Sequence, residues 1–326
     1  MWLIAGASNL SAIWILTANA WMQHPVGFEV RNGRAELVDF WQVVFQKFAI
    51  LEFLHTAGGA YILGAFFVMG ISAYHLLRNH QKEFFTTSFR YGLVLGTIFS
   101  LFVIIEGDFH AADLAEKQPA KLAAMESHWE TSSGAPIHLL AWPDEENEKN
   151  SIQLGTIPGF LSFLAFKDTA AEVKGLKDFP KNERPPVRIT FFAFRGMVAL
   201  GTYFVLMVFL GWLFRNRLIE KSWYLKMMLY SIPLPYLANE LGWVVAEVGR
   251  QPWIVYGIMT TASAVSPVDG LQVLISFAAF VLVYTLLGAT AFYLMAKHAF
   301  ALPQKVAEPS GRLLFPEPVA VQEVQS

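Results

Sequence analysis

The sequence predicts an all-α polytopic membrane protein, a bundle of about six transmembrane helices with one long external loop. Two observations carry this. The 326 residues are 55% hydrophobic and only 15% charged, with a mean hydropathy of +0.42. A water-soluble domain carries roughly 25% charged residues, so this chain lacks the polar residues to cover a water-facing surface. Moreover, its apolar residues fall into six runs, most near the roughly 20 residues that a spanning helix needs.

The runs are Trp2–Met22, Phe48–Leu77, Tyr91–Ile105, Ile189–Phe214, Tyr224–Val248 and Leu271–Ala296. The second is long enough to tilt or to extend past the bilayer. The fifth contains Pro233 and Pro235, which predict a kink. The expected organisation is 1–106 for the first three spans, 107–188 for the long loop, 189–300 for the last three spans and 301–326 for a disordered tail. Seven prolines punctuate the long loop, and a structureless loop of that length is uncommon, so it is expected to fold and to function. There is no internal repeat.

Short-loop basic residues set orientation. Arg78, Lys82 and Arg90 follow the second span, and Arg215, Arg217, Lys221 and Lys226 follow the fourth. Both loops are therefore expected in the cytoplasm, with both chain ends, and the long loop outside. The formal net charge of −2 gives no reason to expect nucleic acid. The absence of cysteine excludes disulfides and thiolate metal sites. No basic n-region precedes the first run, as a cleavable signal would require.

Ionisable residues within spans need a physical account. His55 and Met197 each lie about eight residues into a span from the outside, or about 12 Å down at 1.5 Å per residue. Two helices running the same way thus present His and Met at one depth, as a six-coordinate haem would require. Arg195 lies two residues from Met197, placed to meet a propionate. The plain alternatives are an interhelical hydrogen bond for His55 and simple gap-filling for Met197. Glu247 and Arg250 close the fifth span, Glu106 and Asp108 the third, and Glu240 lies deeper. These read either as interfacial ion pairs or as a carboxylate haem ligand with a compensating arginine. Ser11 and Asn19 lie near one face of the first span, lining a polar path or joining helices.

Five blocks, GASNLSAIWILTANAWMQHPVGFE (6–29), FLHTAGGAYILGAFFVMGISAYHLL (53–77), KLAAMESHWE (121–130), FRGMVALG (194–201) and GWVVAEVGRQPWIVYG (242–257), are collinear with a known pattern. Together they resemble subunit I of the cytochrome bd-type quinol oxidases, from the first residue to about Phe300. The resemblance implies that His55 and Met197 ligate the iron of a low-spin haem b, with Arg195 beside it. It implies that Lys121 and Glu126 form the quinol site of an external Q loop, here in its short form. Glu247 then ligates the iron of a high-spin haem near Arg250, and Ser11 and Asn19 belong to a proton path. The implied cofactors are one low-spin haem b with a high-spin haem b and a haem d, or a second high-spin haem b.

The implied activity is that of a quinol:oxygen oxidoreductase. Electrons pass from quinol to dioxygen, and charge separates without a pump, in a bacterial cytoplasmic (inner) membrane. Implied partners are subunit II, a small single-helix subunit, quinol, dioxygen and membrane lipid. The resemblance departs at one place. Subunit I of the family begins with about three further spans, the first carrying a histidine ligand, so the expectation is either a gene fragment, a wrong start site or a split gene, or N-terminal helices that come from another polypeptide. Two other readings stay open at this point: a non-catalytic haem-binding fragment, and a haem-free membrane assembly or transport module. Ubiquinol and menaquinol leave the same sequence signature, as do haem b and haem d.

Overall fold

The computed structural model describes residues 2–301. The expected tail, beyond Ala301, lies outside the described residues. Five helices are long and apolar enough to cross a membrane: α1 (Trp2–Gln23), α3 (Lys47–Leu77), α4 (Lys82–Lys117), α7 (Val187–Phe214) and α10 (Gly270–Phe300). A short helix, α2 (Phe40–Val44), leads into α3, and Asp39 caps it by accepting from Gln42 N.

The fifth expected span is present but broken. It forms α8 (Ser222–Tyr230) and α9 (Leu234–Val248), with the interruption just before Pro233 and Pro235. Neither proline has an N–H for the ladder, so the helix restarts with both in or beside its first turn, where those donors are unpaired anyway. Ser231 fills the gap. Its hydroxyl bonds Tyr203 Oη at 2.7 Å and Met227 O at 2.7 Å.

α4 runs further than its apolar stretch suggests, to Lys117 rather than to about residue 105. It stops where Pro119 forbids its predecessor a helical backbone. Gln118 sits at φ −134°, and α5 (Pro119–Glu126) follows immediately, ending at Ser127 with φ +52°. The rest of the loop between α4 and α7 is folded. It holds a hairpin of β4 (Ile137–Asp144) and β5 (Lys149–Ile157), a helix α6 (Phe160–Phe166), and a short pairing of β3 (Ser132–Ser133) with β6 (Glu172–Val173). Two further small hairpins, β1–β2 (Phe28–Arg31, Arg34–Leu37) and β7–β8 (Trp253–Val255, Met259–Thr260), join helices. Among the described residues every sheet is two-stranded. None can close, so only helices can cross hydrocarbon here.

The chain divides into two units, residues 1–268 and 269–326. In the first, α3 packs along α4, and α7 along α9. One apolar core, built from Phe66, Phe89, Phe204, Met207, Tyr224 and Met228, fills the end where α3 and α7 finish. There Tyr224 Oη donates to Met207 O at 2.9 Å. A second core, of Ala20, Phe48, Leu114, Met125, Ala193 and Val245, lies at the opposite end, where α1, α4 and α9 finish and α3 and α7 begin. In the second unit, α10 is apolar on every face, with Asp269 capping Leu271 N at 3.1 Å. That composition suits a helix surrounded by lipid.

Candidate functional site: a buried polar junction where six helices meet

The second core is the wall of a polar cluster. Gln23, the last residue of α1, is only 1% exposed, and it organises the cluster. Its amide Nε2 donates to Ala246 O at 3.0 Å and to Asn19 Oδ1 at 3.3 Å. Its Oε1 accepts from Gln118 Nε2 at 2.9 Å and from Lys121 Nζ at 3.1 Å. Lys121 Nζ also donates to Ala246 O at 3.0 Å, and Gln118 Nε2 to Gln23 O at 2.6 Å. Asn19 Nδ2 donates to Glu247 Oε1 at 2.6 Å, and the other oxygen of Glu247 accepts from Arg250 Nη2. The result is one continuous chain of hydrogen bonds, Lys121–Gln23–Asn19–Glu247–Arg250, from α5 through α1 to the end of α9. Just beyond it, Tyr256 N donates to Met22 O at 2.9 Å, which seats the GRQPWIVYG turn on the end of α1.

Lys121 and Glu126 are both buried, at 4% and 5% exposure, and they do not face each other. α5 sends Lys121 into the junction and sends Glu126 to α7, where Arg195 Nη2 donates to its carboxylate. Burial pushes Lys121 down to about 7, against the opposing pull of the Glu52 carboxylate. Burial pushes Glu126 up to about 7, although Arg195 draws it the other way.

His55, two turns into α3, is held from α4. Its Nδ1 lies 2.6 Å from Glu106 Oε2, and the His110 ring is 6.0 Å away. Met197 on α7 faces α9, where a Cβ on Gly242 would stand 3.2 Å from Met197 Sδ; glycine keeps that flank of the sulfur open. Ser11 is exposed on α1, outside the hydrogen-bond chain that holds Asn19. Glu240 is exposed on α9, and Asp108 pairs with Lys167 at 2.6 Å.

Gln23, Gln118 and Glu52 are site residues that the sequence reading did not single out. Glu52 did carry a signal, as a carboxylate inside an apolar span three residues before His55. It is 7% exposed, and its Oε2 has no hydrogen-bond partner among the described residues. Gln23 carried the weaker signal of standing four residues after Asn19 on one helix face.

The donor set fits a haem. Arg195 Nε and Arg250 Nε and Nη1 are buried donors without partners among the described residues, and such groups normally find one. Propionate carboxylates would supply it. An imidazole with one nitrogen bonded, a thioether beside a glycine, and a carboxylate at the end of the polar chain are all competent iron ligands.

The comparisons agree with this geometry. Residues 1–303 match the family described as cytochrome bd terminal oxidase subunit I. The chain is similar to the cytochrome bd ubiquinol oxidase subunit 1 of Bacillus subtilis, 40% identical over 91% of this chain and 66% of that one. It is also similar to the cytochrome bd-II ubiquinol oxidase subunit 1 of Escherichia coli, 33% identical over 91% of this chain and 71% of the other. The solved bd oxidase of Geobacillus thermodenitrificans superposes with a TM-score of 0.80 at 34% identity, covering 90% of this chain and 68% of that chain. The chain thus spans about two thirds of the length of these relatives. With its five membrane-length helices and its junction of Lys121, Asn19, Glu247 and Arg250, it belongs to the cytochrome bd terminal oxidase subunit I family.

Proposed function

We propose that this chain is the haem-binding core of a quinol:dioxygen oxidoreductase, working in an assembled bd-type oxidase. The observation that carries the reading is the hydrogen-bond chain from Lys121 through Gln23 and Asn19 to Glu247 and Arg250, buried at Lys121, Gln23 and Arg250 and half-buried at Asn19 and Glu247. It joins the candidate quinol side to the candidate high-spin haem side. Buried polar networks are costly unless fully bonded, so a continuous one at a helix junction argues for use.

In this reading His55 and Met197 hold the low-spin haem b, and Glu247 holds a high-spin haem b or d. Arg195 and Arg250 offer their unpartnered donors to propionates. Bound haem supplies one-electron transfer and, at the high-spin site, the reduction of dioxygen to water. The protein's own groups move protons. Glu126 accepts a quinol proton on the outer side, and Arg195 stabilises the carboxylate before transfer. Lys121, aimed inward, balances charge between that side and Glu247. Asn19, with Ser11 nearer the other end of α1, belongs to the inward path. The quinol is a ubiquinol or a menaquinol.

The loops bearing Arg78 and Arg217 lie in the cytoplasm of a bacterial inner membrane, together with both chain ends. Protons taken up there and released outside then separate charge without a pump, each charge worth about 2.3 kcal/mol per 100 mV. Subunit II and a small single-helix subunit complete the assembly. The reading takes residues 107–188 as the Q loop, between the membrane regions 1–106 and 189–300.

The test is a reduced-minus-oxidised haem spectrum of membranes containing the chain, with and without carbon monoxide. The expected result is a low-spin b-type signal that His55→Ala and Met197→Ala each abolish. Retention of that signal in both variants would overturn the ligand assignment. A carbon-monoxide-sensitive signal lost in Glu247→Ala assigns the high-spin site. If wild type shows only the low-spin signal, the chain is a haem-binding fragment and the oxidase reading fails.

The pH dependence follows from the two displaced groups. Below about 7 Glu126 holds its proton and cannot accept another, so quinol oxidation rises with pH through that value. Above about 7 Lys121 loses its charge, so the rate falls again. The expected profile is a bell with its maximum near neutrality. In Glu126→Gln the residual rate loses its acid limb while the alkaline limb remains, as a quinol-oxidation assay over buffered pH would show.

A further inference from the structure

Glu106 belongs to none of the roles assigned above, yet it is one of the most enclosed carboxylates in the protein, at 4% exposure. It lies directly after the apolar run of α4, and among the described residues no lysine or arginine forms an ion pair with it. Among the described residues its Oε1 has no partner, and its Oε2 meets one group, the Nδ1 of His55, at 2.6 Å. A carboxylate in such a place is expensive unless it is hydrogen-bonded and used. The approach is built into α4. Gly107 follows directly, and a Cβ there would stand 3.2 Å from His55 Cε1, crowding the ring that Glu106 holds.

His110 stands one turn further along α4, and the ligand atoms of His55, Glu106 and His110 lie within 4.8 Å of one another. A small metal ion is therefore the competing occupant. The 2.6 Å separation argues against it. An ion bonded to both nitrogen and oxygen at about 2.0–2.2 Å would hold those two atoms about 3 Å apart or more. A shared hydrogen bond suits the observed distance.

We propose that Glu106 is a positioning residue for the haem-ligating histidine. Its carboxylate accepts the Nδ1–H of His55, fixes the tautomer and leaves the Nε2 lone pair for iron. It also makes the imidazole a stronger electron donor, which favours the ferric state and lowers the potential of the low-spin haem. The inference rests on the reading of His55 as a haem ligand, so its experiment begins with that reading. In the haem-loaded oxidase from native membranes, His55→Ala must remove the low-spin signal. If the signal persists, the ligand assignment fails, and this proposal with it.

Where His55 passes, redox titration of the low-spin band in Glu106→Gln, Glu106→Ala and Glu106→Asp decides the matter. Loss of the carboxylate is expected to weaken the ferric preference about tenfold, which raises the midpoint by about 59 mV for one electron. Glu106→Gln shows this shift with the spectrum still low-spin, Glu106→Ala shows at least as much, and Glu106→Asp stays near wild type. A wild-type midpoint in both Glu106→Gln and Glu106→Ala overturns the proposal. Haem loss from Glu106→Gln with retention in Glu106→Asp supports it, because glutamine keeps the shape and loses the charge whereas the shorter aspartate keeps the carboxylate; loss from both overturns it. A stoichiometric non-haem metal that disappears in Glu106→Gln would assign the cluster to an ion instead, and would also overturn it.

Discussion

Glu126→Ala is expected to destabilise the protein by about 3–5 kcal/mol and to abolish quinol oxidation, while Glu126→Gln keeps most of the stability and falls to a residual rate of oxidation. The argument starts from the burial of both partners, with side chains 4% exposed for Glu126 and 13% for Arg195. Truncating one member of a buried pair leaves the other charge without compensation, which costs about that much. Among the described residues Arg195 has no second acceptor to fall back on; its Nε lacks a partner there, and the Phe191 and Phe194 rings lie at 5.2 and 5.7 Å. Glutamine presents a carbonyl oxygen in place of the carboxylate, so Arg195 Nη2 still donates to it. Glutamine cannot accept a proton, however. Thermal unfolding in detergent measures the first effect, and quinol-dependent oxygen uptake the second. Equal stability of the two variants would show that the pair contributes no compensation, and full activity of Glu126→Gln would remove Glu126 from the proton route.

The helices were legible because hydrocarbon demands them. A run of some twenty apolar residues has few alternatives in a membrane, and α1, α7 and α10 lie where such runs occur. Pro233 and Pro235 marked the break between α8 and α9 for the same reason, since neither can donate to a helix ladder. The end of α4 was less legible. Past Glu106 its residues turn polar, and hydropathy stops reporting although the helix continues to Lys117. What ends it is local chemistry, Pro119 acting on Gln118. Counting residues from the outer surface placed His55, Met197, Arg195 and Glu247 toward one side, and the structure puts them at the end where α1, α4 and α9 finish. Counting along a helix gives depth, but it does not say which neighbour a side chain meets. That is why Glu106 read as an interfacial acid rather than as the partner of His55, and why Lys121 and Glu126 read as one pair when they serve two different neighbours. Glutamines are quieter still. Gln23 and Gln118 carry no charge to make their burial conspicuous in a sequence, and only the meeting of α1 with the α4–α5 corner shows what they do.

Gln23→Leu should therefore be the most damaging change at a position that the sequence reading did not single out. Leucine keeps roughly the volume and suits the apolar wall of Ala20, Leu114 and Val245, so a simple packing defect is not expected. What disappears is the hub. Lys121 Nζ is left with Ala246 O alone, Asn19 Oδ1 loses its donor, and Gln118 Nε2 keeps only the backbone oxygen of residue 23. Each buried polar group stranded in this way costs about 1–3 kcal/mol. Because the losses share one network they do not add simply, and a total of about 3–5 kcal/mol is expected. The functional effect should exceed the structural one. With Gln23 gone, the hydrogen-bond chain from Lys121 to Glu247 is interrupted at its middle, whereas the His55–Glu106 contact on α3 and α4 is untouched. The expected phenotype is a low-spin haem spectrum of normal amplitude with quinol-linked oxygen uptake reduced at least tenfold. Ser11→Ala, at an exposed position outside that chain, is the control and should leave uptake within about twofold of wild type. Normal uptake in a folded Gln23→Leu protein would show that the buried chain is structural support and that protons and charge balance travel by another route. Gln23→Glu keeps the length of the side chain and still accepts from Lys121 and Gln118, but it cannot donate to Asn19 or Ala246; low uptake in that variant too would tie the loss to the hydrogen bonds rather than to the shape of the side chain.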